Sequence, residues 1–346
     1  MTNLTQASQE LFSRPADERF TSLGELANHC QAMKDRSRRL KEPSATFSPE
    51  VLDGRISLRI NDYPPFAMNA WSFSQLCGIA KVAKETVNRL QPETAAQVLT
   101  ETLHDRCEDD LDMQALVYND ALVRSVNGER YRRLWNIDLL QTLQEFAVDF
   151  TPPHKGFNGA TGLYAGQQDM FCFMIDPTGW TDIGGEAFAP GFFVWNSEVG
   201  RRTVGISTFW FEQVCGNHIV WDAVDVTEIT RRHTGRVRDT LAEIRQAIDQ
   251  LVQKRDQRKD GFAKVVQKAM QTAYGQDSKE SLRLLGQAKF TRLLATKAVE
   301  IAQQSGKLTI WSMVNALTQL ARESKFAGNR AELDCQASSL LDLVAA

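Results

Sequence analysis

Residues 191–221 read GFFVWNSEVGRRTVGISTFWFEQVCGNHIVW and crowd aromatic, glycine and amide residues into a short span. The chain has 18 Phe, 7 Trp and 5 Tyr, and thirteen of these lie between Phe157 and Trp221. Such a density is most simply the centre of a β meander covered by helices, with Phe171, Phe173, Phe192, Trp195, Phe209 and Phe211 as its core. Gly200, Gly205 and Gly216 then mark turns or close backbone approaches.

Downstream of Thr234 the pattern changes. Val237, Leu241, Ile244, Ile248 and Leu251 advance by alternating steps of four and three, a two-heptad helical seam whose outer faces carry Arg238, Arg245, Lys254, Arg255, Arg258 and Lys259. Helical segments are expected over 262–274, 281–304, 309–323 and 330–343, with Gly261, Gly275 and Gly306 as breaks and Thr309 as an N-cap.

Upstream, YPPF at 63–66 forces an extended turn, and a helical hairpin is expected over 71–90 and 94–103, separated by Pro92. Short β runs follow over 115–135, with Asn127-Gly128 placed as the hairpin turn. Asn136 is expected to cap a helix through Phe146. Strands are expected at 163–165, 170–175, 191–197, 203–211 and 219–226, with turns at 151–162 and 176–179. The fold class is therefore α+β: an antiparallel β meander core packed with helices, followed by an all-helical C-terminal module. The expected divisions are an N-terminal arm (1–45), an α+β core (46–234) and a basic helical module (235–346).

Charge is unevenly distributed over a net −3. Basic against acidic residues number 17 to 22 in 1–150, 3 to 8 in 151–226, and 20 to 13 in 227–346. A basic block on an acidic protein points to a polyanion partner, or to a contact with the acidic part. The apolar runs are too short to cross a bilayer and the first twenty residues are polar, so a cytoplasmic protein with no membrane partner is expected. Six scattered cysteines without a CxxC pair read as free thiols.

Motifs for chemistry are sparse. Cys215-Gly-Asn-His218 has the spacing of half a zinc site, and without a second cluster no metal is expected. The glycines of 156–166 match neither GxxxxGK[ST] nor GxGxxG, so no nucleotide cofactor is expected. Asn196, Ser197, Glu198 and Gly200, with Cys215, Gly216, Asn217 and His218, read as structural turns, the first of them exposed, with side chains bonding local backbone. Arginine runs flank the aromatic region: Arg130, Arg132 and Arg133 around Tyr131, then Arg201-Arg202, then Arg231-Arg232 before His233. Aromatic rings interleaved with cations are how single strands are held without sequence preference.

With these residues in view, the chain resembles a family of phage, prophage and plasmid proteins catalogued as a domain of unknown function, number 932. The resemblance rests on YPPFAMNAWSFSQLC (63–77), RYRRLWNIDLL (130–140), GLYAGQQDMFCFMID (162–176), GFFVWNSEVG (191–200) and CGNHIVW (215–221). Many members carry Ser-Asp before the Arg-Tyr pair, where this chain has Gly128 and Glu129. The resemblance implies a mobile-element setting and assigns no activity. Phage and plasmid genomes also encode single-strand annealing proteins of the Red-beta and RecT kind, whose β meander backed by helices is compatible with this plan.

The leading expectation is a non-enzymatic protein of phage or plasmid DNA metabolism that binds or anneals single-stranded nucleic acid as a homo-oligomer. Its contacts are Arg130, Tyr131, Arg132, Arg133, Arg201, Arg202, Arg231 and Arg232, with Lys254, Arg255, Arg258 and Lys259 as a second basic face. The alternative is a structural or host-interaction protein acting through the helical tail, with the Val237–Leu251 seam as its oligomerisation element. A third, a nuclease or hydrolase, would turn on Glu198 or His218.

Overall fold

The computed structural model describes residues 16–106, 112–153, 162–212, 218–221 and 228–345. Among them the strands divide between two sheets. The larger sheet runs β1 (Glu18–Arg19), β8 (Leu163–Ala165), β9 (Met170–Ile175), β11 (Glu186–Asn196), β12 (Val204–Glu212), β13 (His218–Trp221). Two short strands join its flanks, β10 (Thr181–Ile183) on β11 and β14 (Glu228–Arg231) on β12. The smaller sheet runs β2 (Ser37–Pro43), β6 (Asp112–Tyr118), β7 (Leu122–Gly128), β5 (Phe66–Met68), β4 (Arg55–Ile60), β3 (Phe47–Leu52). All pairings are antiparallel except β5 with β7. The α+β class holds, while the expected single meander resolves into two sheets: β6 and β7 belong to the smaller one.

The smaller sheet curls on itself. Its edge strands β2 and β3 are joined only by the short helical turn Ser44–Thr46. Six strands laid flat are roughly 24 Å wide, whereas the link from Pro43 to Phe47 reaches roughly 14 Å at full extension. Inside the curl, Phe47, Leu58, Ile60 and Val117 pack with Phe73 and Leu76 of α2 (Ala70–Ile79) and Leu99 of α4 (Pro92–Arg106). A one-turn helix, α3 (Lys84–Val87), lies between those two helices in sequence. The β6–β7 hairpin turns at Asn119 and Asp120, both at φ near +50°, and not at Asn127-Gly128, which end β7. Asn and Asp are the side chains that best tolerate that left-handed backbone.

The 1–45 arm is not what residues 16–45 form. Ser22 caps α1 (Leu23–Asp35), which buries Leu26 and Cys30. Strand β2 then pairs with β6 along its whole length, and Arg38 reaches Asp120 at 2.8 Å. Residues 1–15 lie outside the described residues.

In the larger sheet β11 and β12 form a long hairpin, Phe188 opposite Glu212 through Trp195 opposite Gly205. The period of two sorts its side chains by face. Phe192, Val194 and Ile206 meet α1, α5 (Asn136–Phe146) and α6 (Thr240–Gln253). Phe193, Trp195, Phe209 and Phe211 meet Ala327 and Ala331 of α11 (Ala327–Ser338). Gly205 is required here, because a Cβ would lie 2.4 Å from Ile229 O and from the Trp195 ring.

The helices after 235 share these cores. Val237, Ile244, Ile248 and Leu251 are buried with Leu26, Leu139 and Phe192, so the seam expected for oligomerisation is consumed within the chain. Beyond it come α7 (Arg255–Gln271), α8 (Ser278–Gln287), α9 (Arg292–Gln304), α10 (Ile310–Ala321) and a final short α12 (Asp342–Ala345). They gather around Phe188 and Trp210 at the far end of the hairpin, where Trp210 stacks on Phe262 at 4.5 Å. Thr309 caps α10 in a reciprocal box with Ser312. Gly261 lies inside α7 and is not a break.

Candidate functional site

The loop joining β11 to β12, residues 197–203, is driven into the seam between the two sheets. Asn196, Ser197, Glu198 and Val199 are each at most 2% exposed, which overturns the expectation of an exposed turn. Its side chains bond distant segments and not only local backbone. Asn196 Nδ2 donates to Leu134 O at 3.0 Å and to Asn136 Oδ1 at 2.8 Å. Ser197 Oγ donates to Gln168 O at 2.5 Å and accepts from Arg201 N at 2.8 Å. From α2, Trp71 Nε1 and Gln75 Nε2 both donate to Val199 O, at 3.0 and 2.9 Å.

Glu198 is the electrostatic centre of this seam. Its carboxylate accepts from Arg124 of β7 at 3.3 Å and from the backbone N–H of Asn136, in the first turn of α5, at 3.0 Å. Its own carbonyl accepts from the Arg133 guanidinium. Burial pushes Arg133 down to about 10, with Tyr131 and Glu198 pulling it partly back. A carboxylate so engaged braces three segments and is closed to solvent, so the Glu198 of the hydrolase reading is structural. Arg133, expected as a nucleic-acid contact, is buried and paired for the same reason.

Outside this centre the three arginine runs meet. Tyr131 donates its hydroxyl to Ser197 O and Glu198 O at 3.1 and 3.0 Å, and burial pushes the phenol up. Its ring stacks on His233 at 5.4 Å. Arg132 N donates to His233 O at 2.7 Å, and Tyr131 pairs with Thr234 as an isolated bridge. Gly200, at φ +78°, faces the Tyr131 ring. Burial pushes His233 down to about 4, opposed by backbone hydrogen bonding with Arg132 and Arg202, while the Arg133 charge lowers it further. Residues 130–133, 200–202 and 231–234 are thus one surface, with Arg130, Arg132, Arg201 and Arg232 exposed on it.

Other expected contacts are placed differently. Arg202 is only 17% exposed, held by Asp169 at 3.0 Å and by Glu332 of α11 at 2.5 Å, which removes it from the free cations. Arg231 is exposed and pairs with Glu243 of α6 at 3.0 Å. Lys254 is exposed and Lys259 half-buried on the helical side. The side chains of Arg255, Arg258 and His218 lie outside the described ones, as do Cys215, Gly216 and Asn217 altogether. Among the described residues no group of three His, Cys, Asp or Glu side chains is arranged to hold a metal, and no helix is long and apolar enough to cross a membrane.

Sequence reasoning missed Arg124 and Trp71. For Arg124 a signal existed, a lone charge within the apolar run ALVRSV, since a buried charge demands a partner. Trp71 stood in the motif that carries the resemblance, but nothing local tied it to residue 199.

The sequence model of one family, described as "Domain of unknown function (DUF932)", matches residues 123–339. No curated protein and no solved structure matches the chain.

Proposed function

The chain belongs to the DUF932 family, and from that premise we propose that it binds single-stranded nucleic acid through the arginine surface around Tyr131. The observation that carries this reading is the convergence of Arg130, Arg132, Arg201 and Arg232, from three separate runs, on one tyrosine-centred face. Four guanidinium groups there offer planar donors to phosphate. The acid in the same run, Glu129, leaves the face net positive. Beneath the face, the Tyr131 hydroxyl and the 131–132 and 233–234 backbone are tied into the structure, which sets where the arginine side chains emerge. A homo-oligomer annealing strands in phage or plasmid DNA metabolism is the setting in which such a face serves.

The alternative, a structural or host-interaction role for the helical tail, loses its proposed seam to the core. It keeps two isolated exposed leucines, Leu293 at 72% and Leu343 at 64%.

Filter binding to a labelled oligothymidylate at low salt tests the reading. Arg130→Glu, Arg132→Glu and Arg232→Glu together should cost at least tenfold in affinity. They should also flatten the salt dependence by about 0.7 log unit per lost phosphate contact. Charge reversal at Lys279 and Lys297, exposed on the helical side, should change little. A wild-type chain that binds no better than an unrelated acidic protein overturns the reading.

A further inference from the structure

We propose that Trp71, with Arg201 laid over it and Lys84 beside it, is a nucleobase-stacking subsite of this surface; the inference rests on the nucleic-acid reading above and deepens it. Trp71 sits in the first turn of α2, where Asn69 caps the helix by accepting from Trp71 N and Ser72 N. Its indole is partly exposed, in contrast with the fully buried Trp210. The ring is held at its polar end by the Nε1 bond to Val199 O. The guanidinium of Arg201, itself exposed, lies 5.3 Å from the ring centroid. Lys84 Nζ donates to Ala70 O at 3.1 Å, which places an ammonium at the residue next to the indole.

These groups are continuous with the arginine face. Arg201 adjoins Gly200, and Gly200 abuts the Tyr131 ring. Tyr131 stacks on His233, whose carbonyl binds Arg132 N. Successive contacts thus link Lys84 and Trp71, through Arg201 and its neighbour Gly200, to Tyr131 and Arg132, so cations and aromatic rings are interleaved.

That alternation has a definite use. A phosphate needs only the cations, whereas a base needs a flat, partly exposed π-face fixed in orientation, which the Val199 bond provides. Arginine on tryptophan also presents a second flat face, so a base can stack on the guanidinium or displace it and stack on the indole. Stacking requires bases turned out of a duplex and tolerates any base identity. The ligand is therefore an unpaired strand, bound without strong sequence preference, and duplex is held by phosphate contacts alone.

The test uses the full chain with three probes of equal length: oligothymidylate, a strand of abasic residues, and a blunt duplex. Trp71→Ala should weaken oligothymidylate binding about tenfold, the order expected for one lost base stack. It should leave abasic and duplex affinities unchanged. Oligothymidylate should quench part of the wild-type indole emission, and Trp71→Phe should remove that part while retaining most of the affinity. Should Trp71→Ala not fold, Trp71→Phe and the quench decide alone, and a quench unaltered in Trp71→Phe overturns the subsite. Equal losses on all three probes, or a folded Trp71→Ala with unchanged affinity for oligothymidylate, overturn it while the arginine-face reading stands. Failure of the wild-type chain to bind any of the three removes both.

Discussion

Arg124 of β7 and Glu198, which follows β11, form an ion pair at 3.3 Å with side chains 4% and 2% exposed, joining the two sheets across their seam. Each sheet alone supplies one charge that could not remain buried by itself. The pair, with Arg133 and Asn136, therefore makes the seam a condition of the fold rather than a consequence of it.

Glu198→Ala should destabilise the protein by about 3–5 kcal/mol, because it leaves Arg124 and Arg133 buried without a countercharge. Replacing Arg124 and Glu198 together with Met and Leu should recover only the part owed to Arg124, since Arg133 stays buried without the Glu198 charge. Urea unfolding of wild type and the two variants measures it, and a Glu198→Ala chain as stable as wild type contradicts the bracing role.

Gly200→Ala should cost about 1–2 kcal/mol, since φ is +78° and an L-residue pays that much in the left-handed region. The added Cβ would also lie 3.1 Å from the Tyr131 ring and 3.2 Å from Asn127 Nδ2. Thermal unfolding should show the loss, and Tyr131→Ala in the same chain should relieve the steric part of it.

His233 gives the stability a pH dependence whose sign follows from its lowered folded-state value, about 4 against 6.5. Between those values the unfolded chain holds a proton that the folded chain refuses. Stability is therefore fully present above about pH 6.5 and falls as pH is lowered toward 4, by on the order of 3 kcal/mol. The difference between wild type and His233→Gln across that window isolates the histidine from carboxylates titrating nearby. A constant difference would place the protonated ring in solvent.

Ile248→Ala should lower stability by about 2–5 kcal/mol, since the side chain is fully buried against the larger sheet. Light scattering should show the same assembly state for wild type and variant. A seam serving an interface would instead make the loss depend on protein concentration.

Much of the secondary structure was readable in local sequence because its causes are local. The strands over 163–165 and 170–175 fall where expected, and Thr309 caps the helix that it was expected to cap. The errors arise where distant segments decide. Asn127-Gly128 is a good turn dipeptide in isolation, yet the pairing of β6 with β7 places it at a strand end and gives the turn to Asn119 and Asp120. Residues 1–45 read as an N-terminal arm, while Leu26 and Cys30 within them are anchored in the core.

The candidate site divides in the same way. Residue types alone marked the arginine runs and Tyr131, since cations and aromatics announce themselves wherever they stand. Whether each is free depends on partners from elsewhere: Arg133 on Glu198, Arg202 on Asp169 and Glu332, Arg231 on Glu243. By itself the sequence determined an α+β chain with an aromatic β centre, basic helices behind it and arginines in three separate runs. Only the tertiary structure decided that NSEV is a buried keystone, that the heptad seam faces inward, and that Trp71 stands beside Arg201. Burial and charge pairing are properties of separate segments that the fold brings together, and periodicity records only what neighbours in the chain require.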